Sequence, residues 1–431
     1  MPPVESTRAA TRWVTRIIPI ILAAAFSYAT YAVVAVLCVS FFLAPPTRNT
    51  GAAIAILVLY FLLLILTLAS YARVILTISF DPGLVPLGPL AIERNRIEKS
   101  KPKAAKEAGG LESRAYYAGP DRNPDSPGLE LFYTKDVFVC ESDGRPKWCS
   151  ECCNWKTDRV HHSSEIERCV LRMDHFCPWV GGMIGQNSFK FFVQFVCYTC
   201  ALCGVVLGAA GFVLRHQILN NEELDPRVIA VIILAGFFCF FTFLMSTTSL
   251  RYVLLNMTNV DMLGATSKVY QLAVVVPRDA RPPTTSALAY PTVTYPLPNL
   301  ELGLNGEANG PSKHTPATFS DGSGSTDHTS RDALAVRTFA ILKTEPGENP
   351  WHLGYWRNWK EVMGSNILDW FLPISKSPCI SHESHESFYP FGPVLDDVCA
   401  RYGVSNPIRR GHSGSEMREL LSREAGGQRT T

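Results

Sequence analysis

Asp174-His-Phe-Cys177 places a carboxylate, an imidazole and a thiol within four residues. A thiol reacts as its thiolate, an adjacent base supplies that form, and an acid can fix the base's orientation. That is the logic of a Cys-His-Asp acyl-transfer site, with Cys177 as nucleophile, His175 as base and Asp174 as its orienting acid. Spacing alone equally allows a structural Cys and His beside a metal. Upstream, Cys149-Ser-Glu-Cys152 is followed by His162 and Cys169. Two Cys at this spacing grip one side of a Zn²⁺, and a later His and Cys close the tetrahedron. His161 is an alternative to His162, and Cys153 reads as a spare thiol.

Long apolar runs must position these groups. No charged residue occurs from Ile17 to Ala44, a run of 28, and about 20 apolar residues at helical rise cross the hydrocarbon core. The run follows Arg8, Arg12 and Arg16 but exceeds the roughly 7–15 residues of a signal-peptide core, so a retained signal-anchor helix is expected. Uncharged runs also cover Ala52–Ala72, Phe191–Leu214 and Val228–Leu250. Together they predict an all-α integral membrane protein with four transmembrane helices and a cytoplasmic, zinc-binding, cysteine-rich domain between helices 2 and 3. Whole-chain averages hide this. The 431 residues are 47% hydrophobic and 18% charged, with 40 Lys+Arg against 38 Asp+Glu, as in an ordinary soluble protein. A net charge of +2 also argues against a nucleic-acid partner, which brings a basic excess.

Lys and Arg set the expected orientation. Residues 45–50 contain only Arg48, and Arg215–Arg227 has two Arg among Glu222, Glu223 and Asp225, whereas Asp81–Lys190 carries 16 Lys and Arg. Positive connections stay cytoplasmic, which puts the middle segment and both termini there; the organelle is not encoded. Arg73 and Arg251 then sit near cytoplasmic helix ends, where long side chains reach the interface. Cys38, Cys197, Cys200, Cys203 and Cys239 lie in apolar runs and read as small hydrophobes. In a reducing cytoplasm the remaining clustered cysteines point to metal binding or catalysis. Arg94–Arg114 reads as a solvated or membrane-apposed linker, and the Pro-, Ser-, Thr- and Gly-dense stretch 281–337 as disordered. Asn349–Trp359 holds three of the eight Trp, suggesting an interfacial or packing element.

Cys149 to Phe192 resembles the DHHC family of protein S-acyltransferases: Lys156, Arg159, His162, Cys169-Val170, Met173-Asp174-His175, Cys177-Pro178-Trp179 and Gly185 fall in register. Asp81-Pro-Gly83 resembles the family's DPG element, and Asn256-Met-Thr-Asn-Val-Asp261 its Asn-x-Thr-Thr-x-Glu element, with Asn259 for Thr and Asp261 for Glu. Asn349-Pro350, Gly354 and Asn358-Trp359 match its C-terminal aromatic element, whose Asn packs near the active site. One departure is clear: Phe176 stands where the family has its second His. That His ligates a second zinc in the family, and its other ligands fall here on Ser163, Ile166 and Met183. The whole second site is therefore expected to be an apolar core, as in a fungal DHFC-variant subgroup.

The resemblance implies a fatty acyl chain, palmitoyl above all, moved from acyl-CoA to protein cysteines near the membrane through S-acyl-Cys177. It also implies one structural zinc on Cys149, Cys152, His162 and Cys169. Arg159, Arg168, Arg172 and Lys190 are the cations near enough to meet CoA phosphates. Expected partners are acyl-CoA, the bilayer and protein substrates with cytoplasmic cysteines. The expected organisation is 1–80 with helices 1 and 2, 81–146 as cytoplasmic linker with the DPG element, and 147–190 as the zinc-binding catalytic domain. Helices 3 and 4 follow in 191–255, then a short element in 256–280, the disordered linker in 281–337, and the aromatic element and tail in 338–431. Two rival readings are a catalytically silent membrane adaptor that keeps the zinc fold, which the Phe176 change favours, and a transporter with a zinc domain. Against the transporter, the apolar runs contain no acid or Lys of the kind ion pathways use.

Overall fold

Each of the four apolar runs forms a long helix able to cross a membrane. The computed structural model describes residues 4–45, 47–100, 126–276, 288–295, 337–378 and 384–409. Its helices are α1, Val4–Tyr31, continued by a π-helical segment, Ala32–Phe42; α2, Thr50–Phe80; and α3, Pro89–Ser100. They continue with α4, Glu130–Tyr133; α5, Phe189–Leu219; α6, Pro226–Leu255; and α7, Asn259–Met262. The last are α8, Tyr355–Met363; α9, Ile367–Phe371; and α10, Val394–Arg401. The strands are β1, Val137–Cys140; β2, Lys147–Cys149; β3, Asn154–Lys156; β4, His161–Ser163; and β5, Arg168–Val170. They continue as β6, His175–Cys177; β7, Gly182–Ile184; β8, Gln271–Val276; β9, Thr292–Tyr295; and β10, Arg337–Lys343. The chain divides into two compact units, one of Met1–Val85, Arg159–Ala265 and Trp351–Ile380, the other of Pro86–Asp158, Thr266–Pro350 and Ser381–Thr431.

In the first unit α1, α2, α5 and α6 outrun their uncharged cores. α2 continues through Arg73 to Phe80, because the backbone ladder needs no apolar side chains once it leaves the hydrocarbon. Helix starts carry the expected caps. Asn49 Oδ1 accepts from the Ala52 N–H at 3.0 Å, and Asp225 Oδ1 from the Arg227 N–H at 2.8 Å with Pro226 opening α6. Apolar packing among Leu37, Tyr60, Leu64, Val206, Ala210 and Val231 joins the helices. Between α2 and α5 lie two antiparallel hairpins, β4/β5 and β6/β7. Gly182 opens β7 where an added Cβ would stand 2.4 Å from Ile78 Cγ2, so the hairpin reaches α2 only with glycine there.

The second unit adds a feature that the sequence did not suggest, a four-stranded antiparallel sheet ordered β1-β8-β10-β9. Phe132, Phe138, Tyr295 and Phe339 meet edge to face in its core. β9 corrects the expected disorder of 281–337: Thr292–Tyr295 pairs with β10, and the buried Tyr295 hydroxyl donates to Gly144 O at 2.7 Å. Residues 281–287 and 296–336 of that stretch lie outside the described residues. The expected linker Arg94–Arg114 is helical as far as Ser100, and its remainder is outside the description, as is the tail from 410. The hairpin β2/β3 is held by the facing pair Trp148 and Trp155.

Candidate active site and metal centre

β6 carries His175 and Cys177, with Asp174 immediately before it. Side chains alternate along a strand, so His175 and Cys177 share one face and Phe176 takes the other. Asp174 Oδ2 lies 2.6 Å from His175 Nδ1, which leaves Nε2 free of that bond and on the strand face it shares with Cys177. Cys177 and Asp174 are buried, and the His175 side chain is 26% exposed. Burial disfavours the imidazolium, but the hydrogen bonds to Asp174 and Cys177 outweigh it and raise the His175 pKa to about 9. Phe192 of α5 meets the imidazole edge-on at 5.2 Å.

Asp174 is held from both sides. Its N–H donates to Ile184 O across the hairpin, and its Oδ1 accepts from the Asn259 N–H at 2.9 Å. Asn259 opens α7, whose start is a capping box. Thr258 Oγ1 accepts from the Asp261 N–H, while Asp261 Oδ2 accepts from the Thr258 N–H, both at 3.1 Å. The same Asp261 oxygen accepts from Arg159 at 2.7 Å, in a pair with side chains only 1% and 3% exposed. Asn256, in left-handed conformation at the end of α6, accepts at Oδ1 from Arg159 at 3.0 Å and from Arg172 at 2.7 Å. Its amide donates to Trp351 O at 2.8 Å. Asn358 closes the frame by accepting from the Leu353 N–H and donating to Leu254 O.

This arrangement corrects the expectation of four phosphate-facing cations. Arg159 and Arg172 are buried and turned onto Asn256 and Asp261, and Lys190 in the first turn of α5 is fully buried. Only Arg168 remains half-exposed, with one guanidinium nitrogen on Val85 O at 2.9 Å. Sequence reasoning gave Thr258 and Asp261 no role, although Thr-x-x-Asp directly after a helix is a legible capping signal.

Cys149, Cys152, His162 and Cys169 are the one group of side chains among the described residues able to hold a metal ion. The Cys152 N–H donates to Cys149 Sγ at 3.4 Å. His162 faces Cys169 across β4/β5, its Nδ1 4.0 Å from Cys169 Sγ. Three thiols and an imidazole form a donor set suited to zinc, and alternation turns His161 to the opposite strand face. Cys153 is engaged elsewhere, its thiol donating to Ser150 O. Backbone support comes from Pro86 and Gly88. The Gly88 N–H donates to Cys152 O at 2.9 Å, and an added Cβ there would stand 1.6 Å from Cys153 O. At the positions matched to the second zinc, Phe176 and the buried Met183 face each other across β6/β7.

Cys177 also lines an apolar cavity with Trp179, Phe192, Phe195, Phe238 and Met245. A second cavity shares Leu22, Thr199 and Phe238 with it and extends to Cys203, Val206 and Val231. Thr199 and Thr242 keep the walls apolar by donating their hydroxyls to carbonyls one turn back, each at 2.7 Å.

A family model described as DHHC palmitoyltransferase matches residues 142–265, from just before β2 to just after α7. Palmitoyltransferase pfa5 of Aspergillus fumigatus is 38% identical over 91% of this chain and 90% of its own length. The chain belongs to the DHHC palmitoyltransferase family. Palmitoyltransferase pfa5 of Emericella nidulans is 35% identical over 91% of this chain and 86% of its own. Palmitoyltransferase PFA3 of Yarrowia lipolytica is 35% identical over 32% and 37% of the two chains. Within this enzyme family the signature here reads Asp-His-Phe-Cys, and the matched region includes the Cys/His cluster, Asp174, His175 and Cys177, and the α7 capping box.

Proposed function

We propose that this family member transfers a fatty acyl group, palmitoyl above all, from acyl-CoA to cysteines of protein substrates through an S-acyl-Cys177 intermediate. The observation that carries this is the Asp174–His175 hydrogen bond, with Cys177 on the same strand face as His175 and lining an apolar cavity between membrane helices. His175 Nε2 takes the thiol proton, and the Cys177 thiolate adds to the thioester carbonyl. Collapse breaks the carbon–sulfur bond to CoA, and the departing CoA thiolate takes the proton from the His175 imidazolium. A substrate cysteine then gives its proton to His175 and attacks the acyl-Cys177 carbonyl; Cys177 leaves as thiolate and recovers the proton. One thioester replaces another, so positioning rather than driving force is the enzyme's task.

Asp174, fixed by the Asn259 N–H, holds the imidazole for both proton transfers. The cavity takes the acyl chain while the thioester stays at the bilayer surface. Of the cations, Arg168 is assigned to CoA phosphate, and Arg159 and Arg172 to the frame behind Asp174. The Cys149, Cys152, His162 and Cys169 set suits one structural zinc. The Lys and Arg bias of Asp81–Lys190 supports a cytoplasmic side for the site and both termini.

The test is single-turnover labelling of purified protein with radiolabelled palmitoyl-CoA. Wild type should form a hydroxylamine-sensitive adduct and Cys177→Ser none. His175→Ala should load about 10²–10⁴-fold more slowly and recover partly as pH rises, because its thiol then ionises unaided. Wild-type labelling of Cys177→Ser would move the nucleophile to another cysteine, and absence of any adduct in wild type would favour the silent adaptor.

A further inference from the structure

The segment after α8 exposes Ile367, Leu368, Phe371 and Ile374 to 61, 62, 57 and 64%. Four large apolar side chains in eight residues are exposed as fully as Ile233 and Phe240 on membrane helix α6, at 67 and 69%. Their backbone is tied down. Gln194 Nε2 of α5 donates to the carbonyls of Asp369 and Trp370 at 3.1 Å and of Leu372 at 3.3 Å. Tyr198, one turn further along α5, donates its hydroxyl to Phe371 O, and Arg73 of α2 donates to Ile374 O at 3.1 Å. The segment is therefore rigidly held on two membrane helices with its apolar side chains pointing away from them.

Those anchors fix its depth. At about 1.5 Å per residue, Gln194 and Tyr198 lie roughly 7 and 13 Å into α5, and Arg73 roughly 10 Å from the end of α2 on the same side. Each helix has 31 residues, about 46 Å against a hydrocarbon core of about 30 Å, leaving roughly 8 Å of overhang at each end. Both helices thus put the anchors at the hydrocarbon boundary. The flanking chemistry agrees. Trp370 meets Trp356 and Trp359 edge to face at 5.5 and 5.8 Å, as indoles do at interfaces. Lys376, two residues beyond Ile374, pairs with Asp81, just past the end of α2 on the water side.

We infer that Ile367–Ile374 is an in-plane membrane anchor whose four apolar side chains sit among the phospholipid chains of one leaflet, continuing the lipid-facing surface of α2 and α5. Val362 and Met363, just before it, pack in the same apolar cluster as Cys177, with Trp359 and Trp370 against them. The anchor consequently sets the depth at which the thiol meets the bilayer.

The experiment replaces Phe371, and separately Ile374, with photoreactive p-benzoylphenylalanine in the full chain, reconstituted in phosphatidylcholine nanodiscs. The same substitution at Phe240 is the lipid-facing control, and at buried Phe339 the negative control. On irradiation, both anchor positions should give phospholipid adducts within about threefold of the Phe240 yield, as for a helix sunk into the acyl boundary. Crosslinks to a second copy or to another protein would make the face a protein interface and overturn the inference. So would lipid yields no higher than at Phe339, which would place the segment in water. Two positions guard against one variant misfolding, and the readout is independent of acyl transfer.

Discussion

Replacing Asp174 by Asn tests the reactive trio with little change in shape. The amide can still accept from the Asn259 N–H, but the charge facing His175 Nδ1 at 2.6 Å is lost. Raising His175 from its ordinary 6.5 to about 9 corresponds to roughly 3 kcal/mol of preference for the imidazolium. Burial works against that preference, so Asp174 and Cys177 supply all of it. With half or more assigned to Asp174, the variant loses about 1.5–3 kcal/mol, which raises the dissociation constant of the imidazolium roughly 10–100-fold and brings its pKa down towards the ordinary 6.5. Acyl loading should fall by a similar factor only at alkaline pH, and by no more than about threefold near pH 7 where much of the imidazolium survives, because the departing CoA thiolate loses its proton donor.

The pH dependence gives the sharper measurement. Wild-type loading should decline as pH rises through about 9, where the imidazolium is lost, and in Asp174→Asn that limb should move towards 6.5. Stability should follow the same direction. A histidine whose folded pKa lies above its unfolded one adds stability fully present below about 6.5 and lost as pH rises through about 9. Thermal unfolding of wild type in detergent should therefore weaken across that window, and that of Asp174→Asn should vary much less. An alkaline limb that stays near 9 in Asp174→Asn would refute the role given to Asp174.

Metal analysis should find one zinc per chain, lost when Cys149→Ser and Cys169→Ser are combined; two zincs would contradict the ligand set. Asp261→Ala removes the carboxylate paired with the buried Arg159 and should destabilise by about 3–5 kcal/mol, with part restored by adding Arg159→Met. Strict additivity of those two changes in chemical denaturation would show that the pair is uncoupled. Phe176→His should destabilise by about 1–3 kcal/mol, since the imidazole would face Met183 without a metal. Unchanged thermal stability with higher activity would remove the apolar replacement of the second zinc.

The membrane helices were legible because lipid demands long runs that are apolar as well as uncharged; residues 282–300 are uncharged too, but their Pro, Ser and Thr content sets them apart. The trio and the Cys/His set were legible because their members are close in sequence. The frame behind Asp174 was not, because Arg159, Asp261, Asn256 and Asn358 meet only in the fold, and the decisive donor to Asp174 is the Asn259 backbone, which leaves no trace in residue type. Arg159 misled for a related reason: a charge in a basic stretch looks solvated until its acidic partner 102 residues away is found. The sheet escaped notice because β9 is four residues long and lies in a stretch whose composition reads as unfolded.

The loss of the family's second His is compatible with intact chemistry for a geometric reason. On β6 the substituted residue, Phe176, lies between His175 and Cys177, so alternation directs it to the opposite face of the strand. It meets Met183 of β7 there, and aromatic or long apolar cross-strand pairs stabilise a hairpin by about 0.2–1 kcal/mol. Asp174, one residue further back, is fixed by Ile184 O and the Asn259 N–H, neither of which involves position 176. A metal on the far face would hold the hairpin, but nothing in the contacts of His175 or Cys177 passes through it. Zinc and the apolar pair are thus alternative ways to close the same hairpin, and Cys177 lines the apolar cavity in either case.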